Sequence, residues 1–338
     1  MPVPLRFPQD ELSHHALIEW WYFNGNVTDD AGNEYAFMYC LFRTDPRKIN
    51  LPFLSKIPLS DLYFSHFVLS DAHAQKMESG TELFYSNPPQ DASRTLLHLS
   101  SPDDFSLEEY APFSYRLKTA QVDFDLVSWK QPLLVNETGW VAVKSGGAYY
   151  YSLTDLDAKG SLTLGGKKLS VRGKAWMDHQ WSDEPASSED KWNWFSLQLE
   201  SGDEILCCEY GDRKKVKFAT ISRTDGSQAT THAVTIRPAD KVWRSSKTGA
   251  AYPTRWEIEL PEWHMRFETN AKVSEGEVIF GAINYWEGGI RVSGTANGAA
   301  VAGNGFMEIV GIPMSESALI VYAKEAEALV SEYLHRYL

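Results

Sequence analysis

Apolar and polar residues alternate along this chain in runs about ten residues apart, with turn residues between them, and antiparallel β-structure is the architecture such a pattern permits. Phe195 to Glu200 and Val122 to Leu126 each read apolar, polar, apolar, which gives a strand one buried and one wetted face. Asp29-Asp30-Ala31-Gly32-Asn33, Leu164-Gly165-Gly166-Lys167, Ser201-Gly202-Asp203 and Thr224-Asp225-Gly226-Ser227 supply the residues that hairpin turns need at positive φ. Tyr35 to Phe42 is apolar on both faces and suits a central, doubly covered strand. One helix is expected, where Ser315-Glu316-Ser317 precedes a stripe of Leu319, Tyr322, Ala326, Leu329, Val330, Tyr333 and Leu334 that would pack on a barrel.

The chain also echoes itself. Trp20-Trp21-Tyr22-Phe23 followed by Gly32-Asn33-Glu34 parallels Trp192-Asn193-Trp194-Phe195 followed by Gly202-Asp203-Glu204. Val171 to Asp178 parallels Val301 to Glu308 in the same way. At 338 residues the chain exceeds the usual size of one hydrophobic core. The expectation is therefore all-β, with two duplicated antiparallel β-barrel domains at 1–189 and 190–338, the polar stretch from Ser182 to Lys191 as linker, and the helix at the end. After the second echo, Ile309 and Gly311 stand where the first has His179 and Trp181, so the titratable pair belongs to the first copy.

A net charge of −13 leaves no basic stripe to displace counterions from phosphates, which argues against a nucleic-acid partner and against an anionic membrane surface. No stretch approaches the length of an integral membrane segment, and the N-terminus lacks the apolar run of a signal peptide, so a cytoplasmic protein is expected. Cys40, Cys207 and Cys208 lack metal-finger spacing and suit a reduced compartment. His14, His15 and Glu19 have no recognised zinc spacing either, and no metal is expected. Phosphate-loop, dinucleotide, nucleophile-elbow and His-Glu-x-x-His patterns are missing, so no cofactor is expected. Nothing in the sequence sets an oligomeric state.

The 12 Trp residues are distributed unevenly. Aromatic knots occur at Glu19-Trp20-Trp21-Tyr22, at Trp176-Met177-Asp178-His179-Gln180-Trp181, around Trp194, and at Tyr285-Trp286. Together they suggest a large aromatic pocket for a lipophilic small molecule. A plainer reading stands beside this one: Asp178 and His179 can be a hydrogen-bonded pair fixing a strand end, and Glu19 a buried partner of an arginine or an indole N–H. Alternation along a strand also requires that some of Trp20, Trp21 and Tyr22 face away from any pocket.

Glu-Trp-Trp-Tyr at 19–22, Gly-Lys-Ala-Trp-Met-Asp-His-Gln-Trp-Ser at 173–182, Tyr-Trp-Glu-Gly-Gly at 285–289 and Gly-Asn-Gly-Phe-Met-Glu-Ile-Val-Gly at 303–311 together resemble the AttH/carotenoid 1,2-hydratase family of lipocalin-like proteins. The resemblance runs from about Leu12 to Ile312. It implies two lipocalin-like domains and a family whose members include enzymes that add water to an isoprenoid C=C bond, a phytoalexin hydratase, and proteins that guide cycloadditions. In its hydratase branch a His-x-Trp pair and a downstream Tyr-x-Asp pair matter; these fall on His179 and Trp181, and on Tyr210 and Asp212.

Hydration of a trisubstituted alkene begins with proton transfer to carbon, which a carboxylic acid kept neutral by an apolar pocket can perform. Asp212 and Asp178 are the candidate acids, His179 the candidate base for the incoming water, and Trp181, Trp20 and Trp21 candidate faces for the cation. Glu19, Tyr22, Trp176, Trp194, Tyr285 and Trp286 complete the candidate substrate-binding set. Two other uses of such a pocket compete with a hydratase: a carrier of a lipophilic molecule, which needs no buried acid, and a pericyclase-like enzyme.

Overall fold

A computed structural model of the chain describes residues 2–45, 47–48, 61–86, 90–91, 93–101, 104–143, 146–184, 191–211, 215–280 and 283–311. Its first half folds into strands β1 (Ile18–Asp29), β2 (Glu34–Thr44), β3 (Asp61–Asp71), β4 (Lys76–Ser86), β5 (His98–Ser100), β6 (Ser106–Ala111), β7 (Ser114–Lys118), β8 (Val122–Ser128), β9 (Leu133–Leu134), β10 (Trp140–Val143), β11 (Gly146–Leu164) and β12 (Lys167–Ser182). Its second half supplies β13 (Trp192–Leu199), β14 (Glu204–Tyr210), β15 (Val216–Ser222), β16 (Gln228–Thr231), β17 (Thr235–Pro238), β18 (Val242–Arg244), β19 (Ala251–Pro253), β20 (Arg255–Leu260), β21 (Met265–Ala271), β22 (Glu277–Phe280), β23 (Ile283–Ala296) and β24 (Ala299–Val310). The described residues contain no α-helix, only short 3-10 turns such as Gln9–Glu11. The expected C-terminal helix lies outside them.

The expectation of an all-β chain holds, with two curled antiparallel half-barrel sheets. The first runs β4-β3-β2-β1-β12-β11-β8-β7-β6-β5, with β9 and β10 attached to β11. The second runs β16-β15-β14-β13-β24-β23-β21-β20-β17, with β22 attached to β23. The two orders correspond strand by strand from β4 and β16 as far as β6 and β17, and the first sheet carries one further strand, β5. In each, the first strand of the half pairs with its last, β1 with β12 and β13 with β24.

The echoes seen in the sequence occupy matching rungs of these ladders. Phe23 faces Met177 and Tyr22 faces Asp178; Phe195 faces Met307 and Trp194 faces Glu308. Glycine recurs for a steric reason at equivalent points: a Cβ on Gly173 would strike the Asn26 carbonyl oxygen, and one on Gly303 the Gln198 carbonyl oxygen. Only a residue without a side chain lets the paired strands approach this closely. Gly202 and Gly226 close hairpins at φ of 85° and 81°, as the turn chemistry requires.

The chain divides into two compact units. One comprises Met1–Asn33, Tyr39–Phe67 and Thr81–Ala186; the other comprises Glu34–Met38, Val68–Gly80 and Ser187–Leu338. The second has an apolar core of residues such as Phe195, Ile205, Trp256, Ile258, Trp286 and Ile309. The first also buries large aromatics, among them Trp21, Phe23, Tyr63, Phe84 and Tyr115. Tyr63 and Phe84 stack there with ring centroids 4.9 Å apart.

Candidate functional site

The side chains of β12 alternate between two faces, and from Ala175 to Ser182 both faces are buried apart from half-buried Gln180. On one, cross-strand register sets His179 opposite Trp21 of β1 and Tyr151 of β11, while Glu19 lies opposite Trp181. His179 Nε2 is 2.9 Å from Glu19 Oε1, and its Nδ1 is 3.2 Å from the Tyr151 hydroxyl. A carboxylate only accepts, so Nε2 carries the proton and Nδ1 accepts from Tyr151. Burial pushes the His179 ring below its ordinary pKa, more than Glu19 raises it, and the ring is neutral.

Glu19 gathers several donors. The His14 backbone N–H lies 3.1 and 3.0 Å from its two oxygens, His14 Nδ1 is 2.7 Å from Oε1, and Arg43 is 3.4 Å from Oε2. Burial pushes this carboxyl up, but the hydrogen bonds from His14 and His179 outweigh it and hold it at about 2. Glu19 is therefore ionised and has no proton to give. Arg43 is itself buried and forms a second ion pair with buried Asp61. His14 bonds Asp10 through Nε2 at 3.2 Å; burial pulls its ring down, Asp10 and Glu19 pull it up further, and it reaches about 9.

Indoles hold both rings in place. Trp181 lies flat on His14, with centroids 3.6 Å apart and planes 6° apart; Trp21 stacks on His179 at 4.7 Å and 23°. Both nitrogens of His179 are engaged, so the ring offers no free lone pair to a water. The plainer reading of Glu19 as a buried arginine partner describes its contact with Arg43.

The other face of β12 carries Trp176 and Asp178. Asp178 is buried and accepts from the Tyr150 hydroxyl at 2.5 Å, the Ser152 hydroxyl at 2.5 Å and Trp176 Nε1 at 2.6 Å. Burial raises this carboxyl to about 7 despite the three donors, which favour its ionised form. Tyr22 is its cross-strand neighbour. Trp20, two residues along, tilts against Phe42 at 5.9 Å, and Phe42 stacks on Phe64 at 4.6 Å. This face thus combines a carboxyl that can carry a proton at neutral pH with indole, phenol and phenyl rings.

The remaining sequence candidates belong to the second unit. Tyr210 ends β14, half-buried, opposite Trp192. Asp212 lies outside the described residues. Trp194 is buried opposite Glu308, and Tyr285 is buried opposite Val310. Trp286 is fully buried in the apolar core with its N–H donating to the Ser274 carbonyl at 2.9 Å, and there it fills space.

Sequence reasoning missed Arg43, Asp61, Tyr150, Tyr151 and Ser152. A signal existed for two of them: Arg43 ends an apolar strand run as its only cation, and Ser152 interrupts an aromatic run at Tyr149-Tyr150-Tyr151.

A repeated pair of antiparallel sheets, with ionisable groups buried on both faces of one strand, defines the class of protein. The AttH-like family profile matches residues 1–312, and the chain belongs to that family. Among solved structures, a protein of Nitrosomonas europaea assigned to AttH is similar at 26% identity and a TM-score of 0.78, over 92% of this chain and 98% of the other. Kievitone hydratase from Nectria haematococca is similar in fold at 17% identity and a TM-score of 0.73, over 91% and 93%. CghA, solved with Sch210972, is similar in fold at 14% identity and a TM-score of 0.55, over 88% and 89%. No curated protein matches the sequence. No described helix is long and apolar enough to cross a membrane.

Proposed function

We propose that the protein is a hydratase-type enzyme that adds water to a C=C bond of a terpenoid or similar lipophilic substrate, with Asp178 as proton donor. The observation that carries this reading is the buried Asp178 carboxyl, poised near neutrality among Trp176, Tyr150 and Tyr22. Family membership and the shared fold with kievitone hydratase support the reaction class. Glu19 is excluded as the acid by its ionised state.

The Asp178 proton passes to the less substituted alkene carbon, and the π pair becomes the new C–H bond. The cation left on the other carbon faces aromatic rings, whose π clouds stabilise positive charge. A water lone pair then forms the C–O bond, and the proton shed by that water returns to the Asp178 carboxylate, restoring the acid. Tyr150 and Ser152 orient the carboxyl through both its oxygens.

The test is Asp178→Asn, assayed with isoprenoid alkenes in oxygen-18 water. Wild type should place the label in a product alcohol. The amide, which keeps the shape but lacks an acidic proton, should lower turnover by about 10²-fold or more while ligand affinity and far-UV circular dichroism hold. Tight ligand binding without label incorporation by wild type would favour the carrier reading. Labelled product from Asp178→Asn at the wild-type rate would remove Asp178 from the mechanism.

A further inference from the structure

The opposite face of β12 holds a cluster that this chemistry does not use. His14 Nδ1, Glu19 Oε1 and His179 Nε2 all lie within 4.8 Å of one another. The two imidazole nitrogens converge on one carboxylate oxygen, at 2.7 and 2.9 Å. Ligands held about 2.0–2.2 Å from a first-row divalent ion stand about 3 Å apart across its coordination edges, a spacing that the two nitrogen–oxygen contacts, now hydrogen bonds, can open to accept.

The surroundings of the two rings follow the same logic. A ligating histidine is held by a partner on its other nitrogen, and each ring here has one: Asp10 on His14 Nε2 and Tyr151 on His179 Nδ1, both at 3.2 Å. Each ring is also clamped by an indole, Trp181 on His14 and Trp21 on His179. Glu19 divides its oxygens, with Oε2 toward Arg43 and Oε1 toward the two rings. Three carboxylates, Asp10, Glu19 and Asp61, lie in this network against the Arg43 guanidinium and the His14 ring, so the network keeps net negative charge toward a cation. Glu19 and His179 are fully buried, whereas His14 is 20% exposed and gives the approach from solvent.

We infer that His14, Glu19 and His179 form a binding site for a divalent transition-metal cation of the zinc or cobalt type, which an imidazole-carboxylate donor set suits. On binding, the His179 proton moves from Nε2 to Nδ1, where the Tyr151 oxygen accepts it, and His14 gives up its Nδ1 proton to solvent, so that Nε2 of one ring and Nδ1 of the other become ligands. His14 comes from the segment before β1, Glu19 from β1 and His179 from β12, so the ion staples that segment to the central pair of strands. The spacing His14 to Glu19 carries no metal pattern because the third ligand is 160 residues beyond Glu19. The inference is independent of the role proposed for Asp178.

The test uses the full chain, dialysed against a chelator and titrated with CoCl2. Wild type should bind one Co²⁺ per chain, develop visible d–d absorption and gain thermal stability. His14→Ala, at the part-exposed edge, should keep its far-UV circular dichroism and lose at least tenfold in Co²⁺ affinity. Asp10→Asn, which loosens the His14 ring and removes one negative charge from the network, should lose about 10- to 100-fold. His15→Ala, at an exposed neighbour, should bind as wild type does. Wild-type binding that is substoichiometric, or that His14→Ala leaves unchanged, overturns the inference.

Discussion

Positions 179 and 309 occupy the same rung of equivalent ladders, yet one is a buried histidine and the other a buried isoleucine. Their neighbours diverge in step. Tyr151 faces His179 where Trp286 faces Ile309, and Trp21 faces His179 where Asn193 faces Ile309. The second sheet uses its rung to build apolar core, with Ile309, Trp286, Phe195 and Met307 in one cluster. The first gives up apolar contact there for a network of ionised and neutral groups from Asp10 to Asp61. Two copies of one scaffold thus separate what the fold requires, which both keep, from what only one carries. The shared glycines, Gly173 and Gly303, belong to the first kind; His179 and Glu19 belong to the second.

The largest effect is expected from Glu19→Ala. It leaves Arg43, His14 and His179 facing an empty site, and breaking a buried pair in this way costs about 3–5 kcal/mol, measured by denaturant unfolding. A loss below about 1 kcal/mol would mean that the network is no more than a neutral replacement for apolar core. Grafting the other way, Ile309→His buries an imidazole without partners and should cost about 2–3 kcal/mol. If the variant is as stable as wild type, the second rung is not the dry core described.

Gly173→Ala and Gly303→Ala should each cost about 1–3 kcal/mol, because the new Cβ meets backbone oxygen rather than a movable side chain. The two values should agree; a marked inequality would show that the glycines serve different ends in the two halves. The smallest effect near pH 5, growing with pH, concerns Glu11. Burial and its neighbour Glu109 push this carboxyl up to about 9, partly offset by the Tyr115 hydroxyl at 2.5 Å. Its folded pKa lies above the unfolded value of 4.5, so its contribution to stability is complete below that value and is lost as pH rises towards 9. Glu11→Gln should match wild type near pH 5 and become relatively more stable as pH increases, read as a flatter slope of unfolding free energy. A slope unchanged by the substitution would assign the pH dependence elsewhere.

Much of the fold was legible because its signals are local. Alternation marks Val122 to Leu126 and Phe195 to Glu200, glycine marks the turns at Gly202 and Gly226, and the unbroken apolar run of Tyr35 to Phe42 becomes β2, buried on both faces. The echoes carried register as well, since Phe23 and Phe195 meet Met177 and Met307 on matching rungs. The site was legible only in part. Asp178, His179 and Glu19 stood out by type and company. That Asp178 and His179 face opposite sides of β12 follows from strand alternation, and their adjacency in sequence obscured it. Asp61 and Tyr151 were invisible and Arg43 showed only as a lone cation, because a single polar residue in a strand announces its role only when long-range pairing reveals what lies opposite.

That long-range pairing has a consequence on the ribosome. β1 leaves the exit tunnel early, but its partner β12 is separated from it by some 160 residues, the distance from Glu19 to His179. At about 5–20 residues per second, one edge of β1 waits on the order of ten to thirty seconds for its neighbour. Trp21 and Phe23, fully buried in the finished unit, spend that interval on a strand with an open side. The second half repeats the arrangement, with Trp192 waiting for Val310. Each half therefore gains its central seam last, and nascent chains stalled before Ser182 or Val310 present apolar strand edges open to pairing or to chaperone capture.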